Sequence, residues 1–390
     1  MPVRVLRVIT RLNIGGPAIQ AIHLSRSLSA EGFDTRLLYG RVGAAEGDMS
    51  YLLPDRGVTA SRIDALQRPI ALWSDARALL AISRAIAAFR PHVIHTHMAK
   101  AGLLTRTAAV LYNATHRSHR ARIVHTYHGH VLEGYFSGPT TRLFVALERL
   151  LSGATDRLVA VSPIIRDDLL NRYRIGTPET FTVVPIGLDL SALAAVDDQA
   201  RARAKRDLDI PPESAVVTTV GRLTAIKNHG LFLEMAARLA GGKKAIVFLI
   251  VGDGELRSAL EREATVRGLA DRVRFLGWRR DLPTIYGATD VFAITSHNEG
   301  TPVALIEAMA AGVAGVATDV GGVRDVIVDD SMGVVVAPQD AGALASAVER
   351  LIADADRRTS MGAAARRSVV ARFAFDRLSA DIARLYREIL

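Results

Sequence analysis

An α/β architecture of two doubly wound parallel-sheet domains is what the sequence predicts, on three observations. Short runs rich in Val, Ile and Thr alternate with helical stretches along the chain, the pattern of parallel strands joined by crossover helices. The 390 residues suffice for two domains with separate cores. Glycine turns follow several strands at their carboxyl ends, where open sheets of this class bind ligands.

Composition narrows the class. A hydrophobic fraction of 49% and a charged fraction of 23% are those of a soluble globular protein. No apolar run approaches the ~18 residues that span a bilayer. The first residues, M-P-V-R-V-L-R-V-I-T, alternate like a strand and lack the apolar core of a signal peptide. With no cysteine, disulfides and thiol metal sites are excluded and a cytoplasmic location is expected. The net charge of +9 lies wholly in the first half: residues 1–189 carry 23 Lys+Arg and 14 Asp+Glu, whereas residues 190–390 carry 26 of each. A basic face suits an anionic lipid or a phosphate-bearing acceptor. Nucleic acid is not expected as a partner, because no binding motif is present and only 5% of residues are aromatic.

In chain order, Val3 to Thr10 reads as a buried strand and Ile19 to Ala30 as a helix, with R-L-N-I-G-G-P-A between them. Gly15 and Gly16 let backbone approach a ligand closely, although the pair is not G-x-G-x-x-G. Further strands are expected at Asp34–Tyr39, Val93–His97, Ile123–Tyr127, Leu158–Ser162 and Phe181–Pro185, with helices at Asp75–Phe89 and Lys100–Tyr112. The H-T-H of residues 95–97 puts two imidazoles on one strand face, a spacing a metal could use, but no third ligand is evident. Histidines at a strand end beside a cleft are the better account. Lys100 is placed to reach an acceptor phosphate or else sits in solvent. The segment H-T-Y-H-G-H-V-L-E-G-Y-F-S-G-P, His125 to Pro139, is too rich in His, Gly and aromatics for a plain connector. Tyr135, Phe136, Leu143, Phe144 and Leu147, interleaved with Arg142 and Arg149, form either a membrane-facing amphipathic surface or core. P-I-G-L-D, residues 185–189, is a strand exit and hinge, followed by a charged surface helix from Asp197 to Asp209.

The second domain opens with V-V-T-T-V-G-R-L-T-A-I-K-N-H-G as strand, Gly turn and helix, with Arg222 and Lys227 five residues apart. A-I-V-F-L-I-V-G-D-G is a second strand and turn, V-R-F-L-G-W-R-R-D-L-P a third, and D-V-G-G-V-R-D-V-I a further Gly-rich turn. The central stretch is S-H-N-E-G-T-P-V-A-L-I-E-A-M-A-A-G, Ser296 to Gly312, after the strand V-F-A-I-T. Thr301 is expected to cap the following helix and Pro302 to occupy its first turn, so the turn presents free N–H groups and a positive dipole end to an anion. Glu299 and Glu307 flank this cradle with seven residues between them. Glu307 lies in an otherwise apolar run, so a hydroxyl or basic partner is expected for it. The last helices are expected at Ala341–Ala353 and Phe375–Leu390.

Together these stretches resemble the retaining nucleotide-sugar glycosyltransferases of the GT-B fold, glycosyltransferase family 4 (group 1), over nearly the whole chain and in the family's order. The resemblance implies two Rossmann-like domains facing a central cleft. These are an acceptor-side domain, 1–187, and a nucleotide-sugar domain, 188–373, with the terminal helix of about 374–390 packing back on the first. It implies that Glu299 contacts the donor sugar and Glu307 the ribose hydroxyls. Arg222 and Lys227 match the family's cationic pair, which meets the charge that builds on a departing nucleoside diphosphate. His128 takes the place of the active-site histidine, with His130 as its neighbour. The catalytic set implied is therefore His128, Arg222, Lys227 and Glu299. Donor-binding positions are Gly16, Gly221, Arg279, Gly300, Thr301 and Glu307, with backbone contacts to the nucleobase around Arg279 and Arg280. Gly15, His97 and His130 fall on the acceptor side. Asp207-Leu208-Asp209 and the Asp354/Asp356 pair sit on surface segments, so no metal or other cofactor is required.

The function implied is retaining transfer of a sugar from a nucleoside diphosphate, UDP first, to a hydroxyl acceptor. The basic first half and the amphipathic segment favour a lipid-linked saccharide in envelope or exopolysaccharide synthesis, with peripheral contact to an anionic membrane. A soluble acceptor, a GT-B sugar-nucleotide epimerase and a non-catalytic nucleotide-sugar sensor are the alternatives. Oligomeric state is not legible.

Overall fold

The computed structural model describes residues 2–13, 15–43, 46–55, 58–128, 138–242 and 245–390, without the side chains of 55 and 138–140. His130, Tyr135 and Phe136 lie outside the described residues. The chain forms two compact units, one of Met1–Leu188 with Phe375–Leu390, the other of Asp189–Ala374.

The first unit is built on a parallel sheet of β1 (Val3–Ile9), β2 (Phe33–Gly40), β3 (Ala60–Ile63), β4 (Val93–His97), β5 (Arg122–Tyr127), β6 (Arg157–Ala160) and β7 (Phe181–Val183). Their order is β3-β2-β1-β4-β5-β6-β7. Side chains alternate between the two faces of a strand, and both faces here are covered, so β4 and β5 are buried almost throughout even where they carry His and Thr, and β1 buries Arg7 among its apolar residues. Val5, Val93 and Val124 pack against Leu24 and Leu28 of the Gly16–Ala30 helix and Leu378 and Ile382 of the Phe375–Ile389 helix. Leu6, Ile94 and Ile123, one residue out of phase, pack against Ile82 and Ile86 of the Leu72–Phe89 helix and Ala108 of the Ala99–Thr115 helix. The terminal helix buries Phe375, Leu378, Ile382, Tyr386 and Ile389, a stripe at helical spacing.

The second unit holds β8 (Ala215–Val220), β9 (Ile246–Val251), β10 (Val273–Gly277), β11 (Val291–Ile294), β12 (Ala314–Thr318) and β13 (Gly333–Val336), in the order β10-β9-β8-β11-β12-β13 and again all parallel. Val217, Phe248 and Ala293 face the His229–Ala240 and Ala341–Ala353 helices, while Val216, Leu249 and Val251 face Ile285 and Ala288. The architecture is thus two Rossmann-like parallel sheets.

Strand order reverses once in each sheet, between β1 and β4 and between β8 and β11. Helices leave such a switch point in opposite directions and open a crevice at the carboxyl ends of the strands. Of the residues that the sequence singles out, Gly15 and Gly16 follow β1, His97 ends β4 and His128 follows β5 in one unit; Gly221, Arg222 and Lys227 follow β8, Glu299 to Glu307 follow β11 and Arg279 follows β10 in the other.

Candidate functional site

After β8 the chain turns through Gly221 and a 3-10 turn, Ala225–Lys227, into the His229–Ala240 helix. After β11 it turns through Ser296 to Thr301 into the Val303–Ala310 helix. The two turns are bonded to each other. His297 N donates to Ile226 O at 2.8 Å, and Thr295 Oγ1 to Asn228 O at 3.0 Å. At their junction Lys227 Nζ donates to Glu299 Oε1 at 2.6 Å, and Ser296 Oγ donates to the same oxygen at 2.6 Å. Glu299 is only 7% exposed. A carboxylate this buried needs such partners to remain charged. His229 is buried beside the pair, and burial together with the Lys227 charge lowers its pKa to about 4, so it is neutral near pH 7. Lys227, His229, Ser296 and Glu299 line one pocket with Pro302 and Val303.

Two glycine turns hold this arrangement from behind. Gly321 has φ +49, and a Cβ there would lie 1.8 Å from Glu299 O; Gly322 N donates to that same carbonyl at 3.0 Å. Gly252 has φ +132, and a Cβ there would lie 2.0 Å from Gly221 O. No side chain fits at either place. The D-V-G-G turn therefore sets the height of the Glu299 turn, and the turn after β9 sets that of Gly221. Gly221 itself lies against the Lys227 stem, where a Cβ would meet Cδ at 3.7 Å.

The helix that starts here differs from expectation in one detail. Pro302, not Thr301, is the N-cap, and no side chain caps the helix. Proline takes the cap position and pushes Thr301 back into the turn, where its Oγ1 is buried without a partner among the described residues. Glu307, on the second turn of the helix, accepts from Tyr286 Oη at 3.0 Å, which supplies the hydroxyl partner that its apolar surroundings demand. Burial raises the Glu307 pKa to about 7, and the tyrosine bond moderates the rise. Arg222 is exposed and Gly300 lies in the open turn. Arg279 is bound to Asp281, with Nε donating at 2.8 Å.

In the first unit Gly15 precedes the Gly16–Ala30 helix, and a Cβ at Gly16 would meet nothing within 4 Å. His97, at the end of β4, is wholly buried and its Nδ1 lies 2.9 Å from His128 Nε2. Burial lowers the His128 pKa to about 4. His95 does not share a ligand with His97. It bonds Tyr386 Oη at 2.6 Å and Thr126 Oγ1 at 2.7 Å. Among the described residues no group of three or more His, Asp or Glu is gathered as a metal site. Lys100 is bound to the Asp75 carboxylate and the Pro69 carbonyl and is therefore not a lysine free in solvent. Sequence reasoning missed Ser296 and Tyr286 as partners of the two glutamates. Ser296 carries a signal, three residues before Glu299 at the strand exit; Tyr286 carries none.

Two family descriptions match the chain in tandem, Glycosyltransferase Family 4 over residues 14–192 and Glycosyl transferases group 1 over residues 200–368. The chain belongs to the family 4, group 1 glycosyltransferases of GT-B fold. This glycosyltransferase is 29% identical to the UDP-Gal:alpha-D-GlcNAc-diphosphoundecaprenol alpha-1,3-galactosyltransferase of Escherichia coli, over 84% of this chain and 82% of that protein. It is 35% identical to a D-inositol 3-phosphate glycosyltransferase of Salinispora tropica, over 64% of this chain and about half, 54%, of that one. Among solved structures, a glycosyltransferase from Rickettsia africae superposes with a TM-score of 0.83 at 18% identity, covering 100% of this chain and 98% of that one. Anabaena Alr3699/HepE in complex with UDP gives 0.83 at 20% identity, covering 99% and 100%. At these identities the structures speak for the fold.

Proposed function

We propose that this glycosyltransferase moves a sugar from UDP to a hydroxyl of a lipid-linked saccharide, with retention at the anomeric carbon. The observation that supports this reading best is the Lys227–Glu299 pair at the β8/β11 switch point, beside a helix start and with Glu307 one helical segment away. Arg222 and Lys227 neutralise the diphosphate, together with the amide groups at the start of the Val303–Ala310 helix. Glu299 orients the donor sugar and Glu307 receives the ribose hydroxyls, with Gly16, Gly221, Gly300, Thr301 and the Arg279 backbone on the donor side. His128 contacts the sugar or the acceptor, and Gly15, His97 and His130 serve the acceptor side.

In the reaction the bond from the anomeric carbon to the β-phosphate oxygen breaks, and its electron pair passes to the phosphate. The acceptor oxygen bonds the same face of that carbon, and its proton passes to the leaving phosphate. Negative charge grows on the diphosphate, which is where the cations act. The charge balance needs no metal, so activity is expected to persist with a chelator present.

The acceptor reading draws on the relative from Escherichia coli, whose name gives a diphosphoundecaprenol acceptor. It also draws on the surface of the first unit. Leu72 and Trp73 are 82% and 86% exposed on one helix and Leu143 and Leu150 are exposed on another, and Arg77 and Arg142 are exposed on the same two helices. Apolar side chains with arginines and few acids suit peripheral contact with an anionic bilayer at the cytoplasmic face. No helix of the described residues is long and apolar enough to cross a membrane.

The test is a transfer assay with a panel of UDP-sugars and a polyprenyl-diphosphate saccharide, reading the anomeric configuration of the product by NMR. An α-linked product from an α-linked donor supports the reading. A β-linked product overturns retention, and a new sugar nucleotide formed without acceptor would make the protein an epimerase.

A further inference from the structure

Three histidines, His95, His97 and His128, meet at the carboxyl ends of β4 and β5, and hydrogen-bond partners assign the ring protons of His95 and His97. Arg7 is fully buried and is always a donor. Its Nη1 donates to Ser25 Oγ at 2.9 Å and its Nη2 to Tyr386 Oη at 3.0 Å. Tyr386 therefore accepts from arginine, and its single proton goes to its other close neighbour, His95 Nδ1, at 2.6 Å. His95 Nδ1 is then bare. The proton of that neutral ring sits on Nε2 and is donated to Thr126 Oγ1 at 2.7 Å. His95, Thr126 and Tyr386 are all buried, so no solvent competes for these protons.

His97 stacks on His95 with ring centroids 4.4 Å apart and planes 26° from parallel. Burial, with the neighbouring His95 and His128 rings and Arg7, holds its pKa well below the ordinary histidine value, so near pH 7 it has one ring proton. Its Nδ1 meets His128 Nε2 at 2.9 Å, whereas its Nε2 is buried without a partner among the described residues. If His128 were the donor, the His97 proton would sit on Nε2 as a buried N–H with no acceptor among the described residues. If His97 is the donor, only a lone pair is left unmatched. Buried N–H groups without an acceptor are the rarer outcome in folded proteins. The proton therefore lies on His97 Nδ1.

We infer that His97 is a positioning residue which, by donating from Nδ1 to His128 Nε2, holds His128 in the tautomer that carries its proton on Nδ1. His128 then meets a ligand as an N–H donor. A sugar or acceptor oxygen receives a hydrogen bond from it, and the ring is not the base that a bare nitrogen would provide. The tautomer rests on the hydrogen-bond geometry and on the neutral state of buried His97; its use on substrate rests on the proposed role of His128.

The experiment is nitrogen NMR of the full chain labelled in its histidine rings, near pH 7, with the His128→Gln spectrum subtracted to assign His128. The result expected is a protonated Nδ1 and a bare Nε2 in the wild type, and a substantial Nε2–H population in His97→Phe. His97→Asn, whose amide N–H lies near the position of Nδ1–H, recovers the wild-type pattern. Turnover follows the tautomer, falling about tenfold in His97→Phe and recovering in His97→Asn. A wild-type His128 protonated on Nε2, or a tautomer unchanged in His97→Phe, overturns the inference. Should His97→Phe not fold, the wild-type and His97→Asn spectra decide alone. Full turnover in His128→Gln would remove the substrate role of His128 and leave the tautomer intact.

Discussion

Lys227 and Glu299, 72 residues apart in sequence, meet as an ion pair at 2.6 Å where β8 and β11 diverge. In the proposed reaction the donor diphosphate competes with Glu299 for this lysine, so donor binding is expected to exchange one anion for the other.

Replacing Lys227 by Ala should therefore cost turnover far more than stability. Removing a cation that meets developing charge lowers kcat by roughly 10²–10³. The stability lost should be about 1 kcal/mol, because the lysine is 30% exposed and Glu299 keeps its bond from Ser296. Steady-state kinetics and urea unfolding measure the two, and near wild-type turnover would contradict the assignment of Lys227.

Glu307 makes the stability of its unit depend on pH with a definite sign. Its pKa is raised from 4.5 to about 7 in the folded state, chiefly by burial. The folded chain thus holds a proton that the unfolded chain releases. Its contribution is fully present below pH 4.5, is lost as the pH rises towards 7, and is flat above that. The loss amounts to about 3 kcal/mol at most. Urea unfolding across this range should show the stability of wild type relative to Glu307→Gln falling with pH, while the opposite slope from His128 and His229 is common to both. Tyr286→Phe, which removes the bond that moderates the shift, should carry the loss on to higher pH.

Gly321→Ala is predicted to disable the donor site without touching a ligand. A Cβ at this position would collide with the Glu299 carbonyl, and φ +49 already disfavours a side chain. Loss of UDP binding in a chain whose first unit still melts normally is the expected outcome; binding at wild-type strength would mean that the turn can shift without moving Glu299. Gly16→Ala is the contrast. It has open space around it, so stability should change by no more than about 0.5 kcal/mol, and any fall in turnover reports on ligand approach.

A buried ion pair in the first unit should dominate its stability. Arg106 Nη2 donates to Glu148 Oε1 and Oε2 at 2.6 and 2.7 Å, and Tyr127 Oη donates to Oε2 at 2.7 Å. Both charged residues are buried. Arg106→Met leaves the carboxylate without its cation and should destabilise the unit by about 3–5 kcal/mol, read by urea denaturation. A loss below about 1 kcal/mol would show that Glu148 is neutralised at little cost.

The fold was legible because parallel strands buried on both faces are nearly continuous apolar runs, and each central strand exit bears a glycine or histidine cluster. β3, Ala60–Ile63, was not foreseen: it is a four-residue edge strand with a largely exposed pattern, and A-S-R-I carries no apolar alternation. The need of Glu307 for a hydroxyl partner could be read from its apolar surroundings, whereas the identity of Tyr286 could not, since it comes from a different helix. Thr301 before Pro302 carries the usual start signal of a capped helix, but Pro302 takes the cap itself. Lys100 looked available at a helix start, but Asp75 binds it from another helix. The Tyr386–His95 bond joins residues 291 apart, and no local pattern announces such a contact.

The most direct measurement is calorimetric titration of the full chain with UDP, GDP and ADP, repeated with Glu307→Ala. UDP is expected to bind, and the substitution to abolish its binding while the protein stays folded. Failure of all three nucleotides to bind the wild type, or UDP binding untouched by Glu307→Ala, would contradict a donor site built on the β8 and β11 turns.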